Sequence, residues 1–338
     1  MLRTMRILSI DGGGIRGIIP GEVLVVLEQK LQEISGKSDM RIADVFDLIA
    51  GTSTGGILTC LYLCPDKKSG RPKFSAKEAV GLYLQDGNKI FDLPTSKRFQ
   101  SLAGFSDEKY SADAIEKVLK NYLGDLKLSD LLKPSLITAY DITRRQAHFF
   151  NGANIEKNGS GWDFYLRDVA RATSAAPTYF EPANISASDK EVYPLIDGGV
   201  FANNPTMCAC IEAFTLHPDL KLTDLKVLSL GTGNVEKPYQ YSEAKNWGKI
   251  SWAIPVFDIM MSGVSETVDY QLQQLFKSAG CSSQYLRLQL DFKDFPDVDS
   301  EMDNASKSNM SALERAGKTL AHDSDAQLMT FARMLLES

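Results

Sequence analysis

The amino-acid sequence predicts an α/β protein in which a mostly parallel central sheet is covered by helices on both faces. Near the N-terminus, two apolar strand patterns each run through a glycine-rich turn into a helical pattern, giving the order strand, helix, strand, helix. Strands that alternate with helices form parallel sheets, because each helix carries the chain back to the start of the next strand. A later strand that also enters a glycine turn, in 191–200, supports the same fold class.

The individual elements follow from apolar spacing and turn residues. Short apolar runs predict strands at 7–10, 45–50, 135–142, 147–152, 191–200 and 225–233. Apolar residues at helical spacing predict helices at about 20–34, after the turn at 51–56, at 76–90, at 111–121, in 168–176 before Pro177, at 204–217, at 251–276 and at 310–337.

Length and composition favour one domain. The 338 residues are 43% apolar and 24% charged, which is ordinary for a globular protein. No internal repeat, low-complexity tract or linker divides the chain. We therefore expect a single domain over 1–338, with a motif-bearing core at about 5–206 and a completion of the sheet and helices at about 207–338.

Charge, cysteine count and hydropathy exclude several classes. The net charge of −6 argues against a nucleic acid polymer as partner, since that would require a broad basic surface. The five cysteines are odd in number and lack zinc-ribbon spacing, so they are expected to be reduced core residues. No apolar run approaches 18 residues, and the first strand leaves no room for a signal peptide. We expect a cytoplasmic protein that contacts membranes only peripherally.

The first glycine turn, "DGGGIRG", is suited to holding an anion. Gly12, Gly13, Gly14 and Gly17 leave backbone N–H groups unshielded by side chains. Their spacing satisfies the dinucleotide fingerprint, yet the same geometry serves the oxyanion of an acyl-transfer intermediate. This turn by itself leaves both ligands open.

The second turn, "GTSTGG", contains G-x-S-x-G with Ser53 at its centre, between a predicted strand and a predicted helix. This context is typical of a nucleophile elbow, in which Gly51 and Gly55 relieve the crowding of a sharp turn that exposes the serine hydroxyl. Turns after neighbouring parallel strands lie at one sheet edge, so the first glycine turn is expected to face Ser53. The N–H of Thr54 supplies a further donor.

The second turn also decides between the two anions. A dinucleotide site needs an acidic side chain at the end of the second strand, and "IAGTSTGG" has none. A phosphate-binding P-loop would need a lysine after the glycines of 51–56, which is likewise missing. We therefore predict an oxyanion.

The general base is predicted to be Asp197, which ends a strand and is followed by two glycines in "LIDGGV". The alternative, an aspartate that only closes a turn, stays open from this stretch alone. His148, His217 and His322 are the other candidates, but none lies on a glycine-shaped loop. A carboxylate is a poor base for an alcohol unless burial raises its pKa, so the dyad requires a partly apolar pocket. Residues near the motifs that would suit such a pocket are Ile15, Ile57, Tyr179, Phe180 and Phe201.

An apolar segment at 252–261 admits two interpretations. Its members are too apolar for a solvated loop and too few to span a bilayer: Trp252, Ile254, Val256, Phe257, Ile259, Met260 and Met261. Core packing explains such a segment. A surface beside the pocket that accepts acyl chains explains it as well.

"DGGGIRG", "GTSTGG" and "DGG", in this order, resemble the motifs of the patatin-like phospholipases, and the resemblance runs through nearly the whole chain. It is strongest to the plant-patatin-like branch, which also occurs in bacteria. It implies a patatin-like Ser-Asp hydrolase fold without metal or other cofactor, acting on acyl esters of phospholipids, galactolipids or other glycerolipids. The residues it assigns are Ser53 as nucleophile, Asp197 as base, and Gly12, Gly13, Gly14 and Arg16 as the oxyanion loop.

The same resemblance raises a regulatory hypothesis, because some bacterial members are antiphage effectors that a cyclic nucleotide activates. No residue of this sequence points to such an activator, and the oligomeric state is equally undetermined. Two alternative functions stay open: an esterase or peptidase for small soluble substrates, and a weakly active storage or binding protein. The intact Ser53 and Asp197 argue against the second.

Overall fold

The computed structural model describes residues 4–91, 110–188, 191–234 and 238–337. Within these ranges the strands are β1 (Met5–Ile10), β2 (Leu48–Thr52), β3 (Ser135–Asp141), β4 (Gln146–Phe150), β5 (Ala183–Ser188), β6 (Glu191–Asp197), β7 (Leu225–Leu230) and β8 (Tyr285–Leu288). The helices are α1 (Ile18–Ser35), α2 (Ile42–Val45), α3 (Thr54–Leu63), α4 (Ala76–Ile90), α5 (Ala112–Leu123), α6 (Gly152–Asn158), α7 (Leu166–Thr173), α8 (Gly199–Ala202), α9 (Thr206–Leu216), α10 (Tyr241–Ala244), α11 (Lys249–Ser278), α12 (Lys307–Asp323) and α13 (Asp325–Leu336).

The strands form one sheet in the order β5-β6-β3-β2-β1-β7-β8, with β4 paired to β3. β1 is parallel to β2 and β7, and the pairs β2 with β3 and β7 with β8 are also parallel. The remaining pairs, β3 with β4, β3 with β6 and β5 with β6, are antiparallel. The predicted α/β class with a mostly parallel sheet is thus confirmed.

The sheet is buried on both faces, and alternate residues of its central strands enter two different cores. On β1, Leu8 packs with residues of α1, α3 and α4, whereas Ile7 packs with residues of α9 and α11 such as Leu272. This alternation follows from the pleat, which points successive side chains to opposite faces. It explains why β1, β2 and β7 carry apolar residues on both faces rather than at every second position only.

Helix α4 begins and ends at the predicted residues, whereas other boundaries differ. The predicted strand at 45–50 is wrong at its start, because Val45 ends the short helix α2 and the strand begins at Leu48. Helix α7 already ends at Thr173. The C-terminal helix predicted at 310–337 is divided at Ser324 into α12 and α13. Two strands were not predicted: β5 alternates apolar and polar residues but has Ile185 as its one large apolar side chain, and β8 has four residues.

Searching the described ranges for a helix both long and apolar enough to cross a bilayer yields none. The parallel strands β1, β2 and β7 end at one edge of the sheet, and the turns that follow them therefore meet there. This edge carries both glycine motifs.

Candidate active site

Ser53 occupies a strained turn between β2 and α3. Its backbone has φ 55° and ψ −121°, a conformation with positive φ that residues other than glycine rarely adopt. A Cβ on Gly51 would lie 2.1 Å from the carbonyl oxygen of Gly55, and one on Gly55 would lie 2.1 Å from that of Ile10. Only glycine therefore fits on either side of Ser53, as the predicted elbow requires.

Two successive hydrogen bonds connect the turn to α7 and, through it, to the neighbouring strand β3. The Ser53 N–H donates to Thr173 Oγ1 at 2.9 Å, and the Thr173 hydroxyl donates to the Thr138 carbonyl at 2.6 Å. Thr173 is the last residue of α7, so this helix fixes the strained backbone of Ser53 against β3.

Asp197 ends β6 beside Ser53 and accepts a hydrogen bond from the Ser53 side chain. The N–H of Gly199 also donates to Asp197 Oδ1, at 2.7 Å. The residue is only 3% exposed. Burial raises the pKa of Asp197 to about 7, although both hydrogen bonds oppose the rise. The carboxyl group is thereby tuned to exchange a proton near neutral pH.

The carbonyl groups of Gly12 and Gly13 in the glycine loop are held by hydrogen bonds. Thr232 Oγ1 donates to the Gly12 carbonyl at 2.7 Å, and Arg16 donates to the Gly13 carbonyl from its backbone N (3.2 Å) and Nε (3.3 Å). A trans peptide directs its N–H opposite to its C=O, so the N–H groups of Gly13 and Gly14 point to the other side of the loop. Neither N–H donates to another described residue.

Gly12 and Arg16 have supporting positions in this loop. The Gly12 N–H already donates to the Asn203 carbonyl at 3.1 Å, so it is not available to a ligand. The guanidinium of Arg16 contacts the loop on its carbonyl side, and burial lowers its pKa. The open donors are the N–H groups of Gly13, Gly14 and, at the start of α3, Thr54.

These groups face an apolar pocket of about 580 Å³, its opening included. Gly13, Gly14, Ser53, Thr54 and Asp197 line one part of it. Of the apolar candidates from the sequence, Ile57, Tyr179 and Phe180 line the pocket. Ile15 and Phe201 are not among its lining residues; Phe201 packs against Phe149 and Tyr140 instead.

Sequence reasoning missed much of the pocket. Ile90, Phe91 and Ile115 contribute walls from α4 and α5, and Met261 and Met302 from the C-terminal third of the chain. The sequence does not distinguish these residues from core residues, because a pocket wall and a core use the same apolar side chains. Thr232 could have been found, since "GTG" follows the strand adjacent to β1.

The histidines, all within the described ranges, lie outside this pocket. His148 is buried in an aromatic cluster, where it stacks on Trp162 with ring centroids 4.9 Å apart. Burial lowers the pKa of His148 to about 4. His217 follows the last residue of α9, and His322 is an exposed residue near the end of α12. Asp197 is the titratable side chain that the fold places beside Ser53.

Comparison with known proteins identifies relatives over most of the chain. A family model described as patatin-like phospholipase matches residues 8–209. Patatin-like protein 1 of Arabidopsis thaliana is 38% identical over 341 residues, which cover 93% of this chain and 80% of that protein. Patatin-like protein 2 of Oryza sativa subsp. indica is 35% identical over 350 residues (94% and 84%).

Two further matches define the range of the similarity. A Solanum tuberosum protein named probable inactive patatin-3-Kuras 1 is 33% identical over 356 residues, covering 97% of this chain and 92% of its own. The crystal structure of VipD from Legionella pneumophila matches with a TM-score of 0.34 and 11% identity, over 94% of this chain and 67% of that one. The latter is too distant to support an argument.

Proposed function

Because this chain belongs to the patatin-like phospholipase family and is thus a lipid acyl hydrolase, we propose that it cleaves fatty-acyl esters of phospholipids or related glycerolipids with a Ser53–Asp197 dyad. The observation that carries this proposal is the strained Ser53, whose hydroxyl donates to the buried Asp197 where both line an apolar pocket. An activated serine beside an apolar pocket is the arrangement that transfer of a fatty-acyl group needs.

In the proposed reaction, Asp197 takes the proton of Ser53 as Oγ bonds to the ester carbonyl carbon. The carbonyl π electrons move to oxygen and form the tetrahedral oxyanion. Collapse of this intermediate breaks the bond to the alcohol, which leaves with the proton from Asp197. Water then attacks the acyl-Ser53 ester and gives its proton to Asp197. The second collapse releases the fatty acid and returns that proton to Ser53.

The oxyanion is proposed to be stabilised by the N–H groups of Gly13, Gly14 and Thr54. Arg16 and Gly12 support these donors by fixing the loop: Arg16 holds the Gly13 carbonyl, and Gly12 is held through its own N–H and carbonyl. Donors fixed in advance stabilise the transition state without reorganisation during the reaction.

Gly13→Val is expected to lower kcat by about a hundredfold or more, with a smaller effect on KM. A Cβ at Gly13 would lie 2.3 Å from Thr232 Oγ1 and 2.6 Å from Thr232 Cβ, so the loop must shift and displace its donors. The control is Gly161→Ala, because no described atom lies within 4 Å of a Cβ at Gly161. Steady-state kinetics on a p-nitrophenyl ester compares the two, and an unchanged kcat for Gly13→Val would remove the loop from the mechanism.

The pH dependence should report the base. Asp197 acts only when ionised, and burial raises its pKa to about 7. We therefore expect kcat/KM to rise about tenfold per pH unit below that pKa and to level off above it. The measurement is a kcat/KM profile between about pH 5 and pH 9 in the free enzyme. A profile that is already flat at the acidic end would exclude a base with this pKa.

The proposed substrate is presented at a lipid surface, beside the pocket. Four apolar side chains of α11 are 39 to 45% exposed and form what we term the landing surface: Trp252, Val256, Ile259 and Met260. The next residue, Met261, is 7% exposed and lines the pocket, so one helix carries both the landing surface and part of the pocket wall. Met261 is as buried as a core residue, whereas the four side chains of the landing surface are too exposed for core packing to explain why they are apolar. The side chains of Ile254 and Phe257 lie outside the described residues.

Replacing Ile259 and Met260 together by serine is expected to weaken binding to liposomes by about thirtyfold, since each half-exposed side chain contributes about 1 kcal/mol when a membrane covers it. The control is Ile211→Ser, at an exposed apolar position on α9. Co-sedimentation measures both. Hydrolysis of a short-chain ester should also rise sharply once the substrate aggregates. Equal binding of the double variant and the wild type would contradict the landing surface.

The alternatives are distinguished by the same assays. An esterase for small soluble esters would show a hyperbolic rate curve through the aggregation threshold and no binding to liposomes. A storage protein would lack turnover although Ser53 and Asp197 are present. The antiphage role and its cyclic nucleotide activator stay predictions from the family resemblance, and the mechanism proposed above does not depend on them.

The proposed function is tested by lipidomics. Membrane lipids incubated with the wild-type protein should lose acyl chains and accumulate free fatty acids and lysolipids, whereas lipids incubated with Ser53→Ala protein should not. Identical lipid profiles for the two proteins, with hydrolysis of a soluble ester retained in the wild type, would refute a lipid substrate.

A further inference from the structure

A second cavity lies beside the apolar pocket that Ser53 lines, which we call the acyl pocket. The lining of this second cavity is polar. Its volume is about 740 Å³ with its opening, and it shares Met261 and Met302 with the acyl pocket. The other side chains that matter here are polar: Arg16, Asn203, Thr232, Asp258, Ser262 and Glu266. We call it the polar cavity. Arg16 and Thr232 hold the carbonyls of Gly13 and Gly12, so the glycine loop separates the two spaces.

Arg16 is a buried cation whose nearest carboxylates, Asp258 and Glu301, act on it through charge without forming an ion pair. It is 7% exposed, and no described carboxylate forms an ion pair with it. Its one hydrogen bond through the side chain to a described residue uses Nε, which donates to the Gly13 carbonyl. Its two terminal nitrogens donate to no described residue, and Arg16 lines the polar cavity, so an anion there can accept charge-assisted hydrogen bonds from them.

The lining of the polar cavity also carries negative charge. Asp258 and Glu266 both lie on α11 and both line the cavity, and Arg16 is the only cation among the lining residues described. Asp258 accepts a hydrogen bond from the Tyr239 hydroxyl at 3.1 Å, which fixes its position. In the same cavity Asn203, 7% exposed, has a buried Oδ1 that receives no hydrogen bond. The cavity therefore combines the cation Arg16 with the carboxylates of Asp258 and Glu266 and a free acceptor, while its third carboxylate, Asp11, is paired with Arg287.

We propose that the polar cavity binds the head group of a zwitterionic glycerophospholipid, with its phosphate at Arg16 and its ammonium group at Asp258 and Glu266. The inference rests on the proposed function, because it takes the reacting ester to lie at the glycine loop. The acyl chain then occupies the apolar pocket, and the glycerol passes over Met261 and Met302 to place the head group in the polar cavity.

This charge pattern discriminates between head groups. Phosphatidylglycerol satisfies Arg16 but leaves the two carboxylates without a cation and adds repulsion between like charges. A galactolipid offers hydroxyl groups but neither charge. A lipid that carries both phosphate and ammonium complements the whole cavity, so the acidic residues of α11 determine specificity while the glycine loop determines turnover.

The test compares head groups on one set of acyl chains. Phosphatidylcholine, phosphatidylglycerol and diacylglycerol, each in mixed micelles, are hydrolysed by the wild type and by the double variant Asp258→Asn/Glu266→Gln. We expect the ratio of kcat/KM for phosphatidylcholine over phosphatidylglycerol to fall about tenfold in the variant. The control is Asp219→Asn/Asp323→Asn, which makes the same change in net charge at exposed sites outside the cavity and should leave the ratio unchanged.

Three results would overturn the inference. An unchanged ratio means that Asp258 and Glu266 do not sense the head group. An equal fall for all three lipids, diacylglycerol included, means that the substitutions damage the catalytic site instead. A fall of equal size in the control variant means that overall charge at the micelle surface is responsible. By contrast, the absence of Ser53-dependent hydrolysis of any of the three lipids by the wild type would refute the proposed function itself.

Discussion

Ser53→Ala is expected to lower the turnover of acyl esters by a factor of about 10⁴ or more, while the protein remains folded. In the proposed reaction the Ser53 hydroxyl forms the bond to the acyl carbon. Of the two serines among the described pocket residues, Ser53 and Ser174, only Ser53 has the strained backbone of a nucleophile elbow. Steady-state hydrolysis of a p-nitrophenyl ester measures the loss. A variant with more than a few per cent of wild-type turnover would exclude Ser53 as nucleophile.

The same position should reveal the strain of the elbow. At φ 55° a side chain is disfavoured and glycine is not, so Ser53→Gly is expected to be more stable than Ser53→Ala by about 1 kcal/mol. Thermal or denaturant unfolding of the two inactive variants gives this difference directly. Equal stabilities would mean that the turn relaxes and stores no strain for catalysis.

Asp197→Asn is expected to reduce turnover by about three to four orders of magnitude, because an amide cannot take the proton of Ser53. His217→Ala, His322→Ala and His148→Phe are the comparison set, and each folded variant should retain most of the activity. Loss of turnover in one of these folded variants would show that the catalytic group is a triad that includes that histidine, not a dyad.

The substitution at Asp197 should also stabilise the protein in a pH-dependent way. The folded-state pKa of about 7 lies above the unfolded value of 3.8, so the folded state holds the proton more tightly. Wild-type stability therefore falls as pH rises from about 4 to about 7 and is constant above. The Asp197→Asn variant has no buried carboxyl group to ionise, so its stability does not fall over this range. It should therefore unfold at a higher temperature than the wild type at pH 8 but not at pH 4. The opposite order at pH 8 would contradict a buried carboxylate.

The backbone geometry of the candidate site could largely be anticipated, because it depends on requirements that leave marks in the sequence. Gly51 and Gly55 are needed where a Cβ would collide with a carbonyl oxygen, and such positions are visible as glycines around Ser53. The meeting of the two glycine turns follows from the parallel order of β1 and β2, which alternating strands and helices indicate.

The parts that escaped prediction depend on long-range packing. Met261 and Met302 reach the site from positions more than 200 residues after Ser53 along the chain, and their neighbours in sequence do not differ from core residues. The supporting role of Arg16 required the position of its Nε relative to Gly13. Asp258 and Glu266 are eight residues apart in the sequence, and only the position of α11 shows that both line one cavity.

The central claim is that Ser53, activated by Asp197, forms the acyl-enzyme, and covalent labelling tests it most directly. The wild-type protein is treated with a fluorophosphonate, digested and mapped by mass spectrometry, alongside Ser53→Ala and Asp197→Asn. We expect a single adduct on Ser53 in the wild type, none in Ser53→Ala, and a labelling rate reduced by at least about a hundredfold in Asp197→Asn. An adduct on any other residue with Ser53 unmodified, or labelling of Asp197→Asn at the wild-type rate, would contradict the proposed dyad.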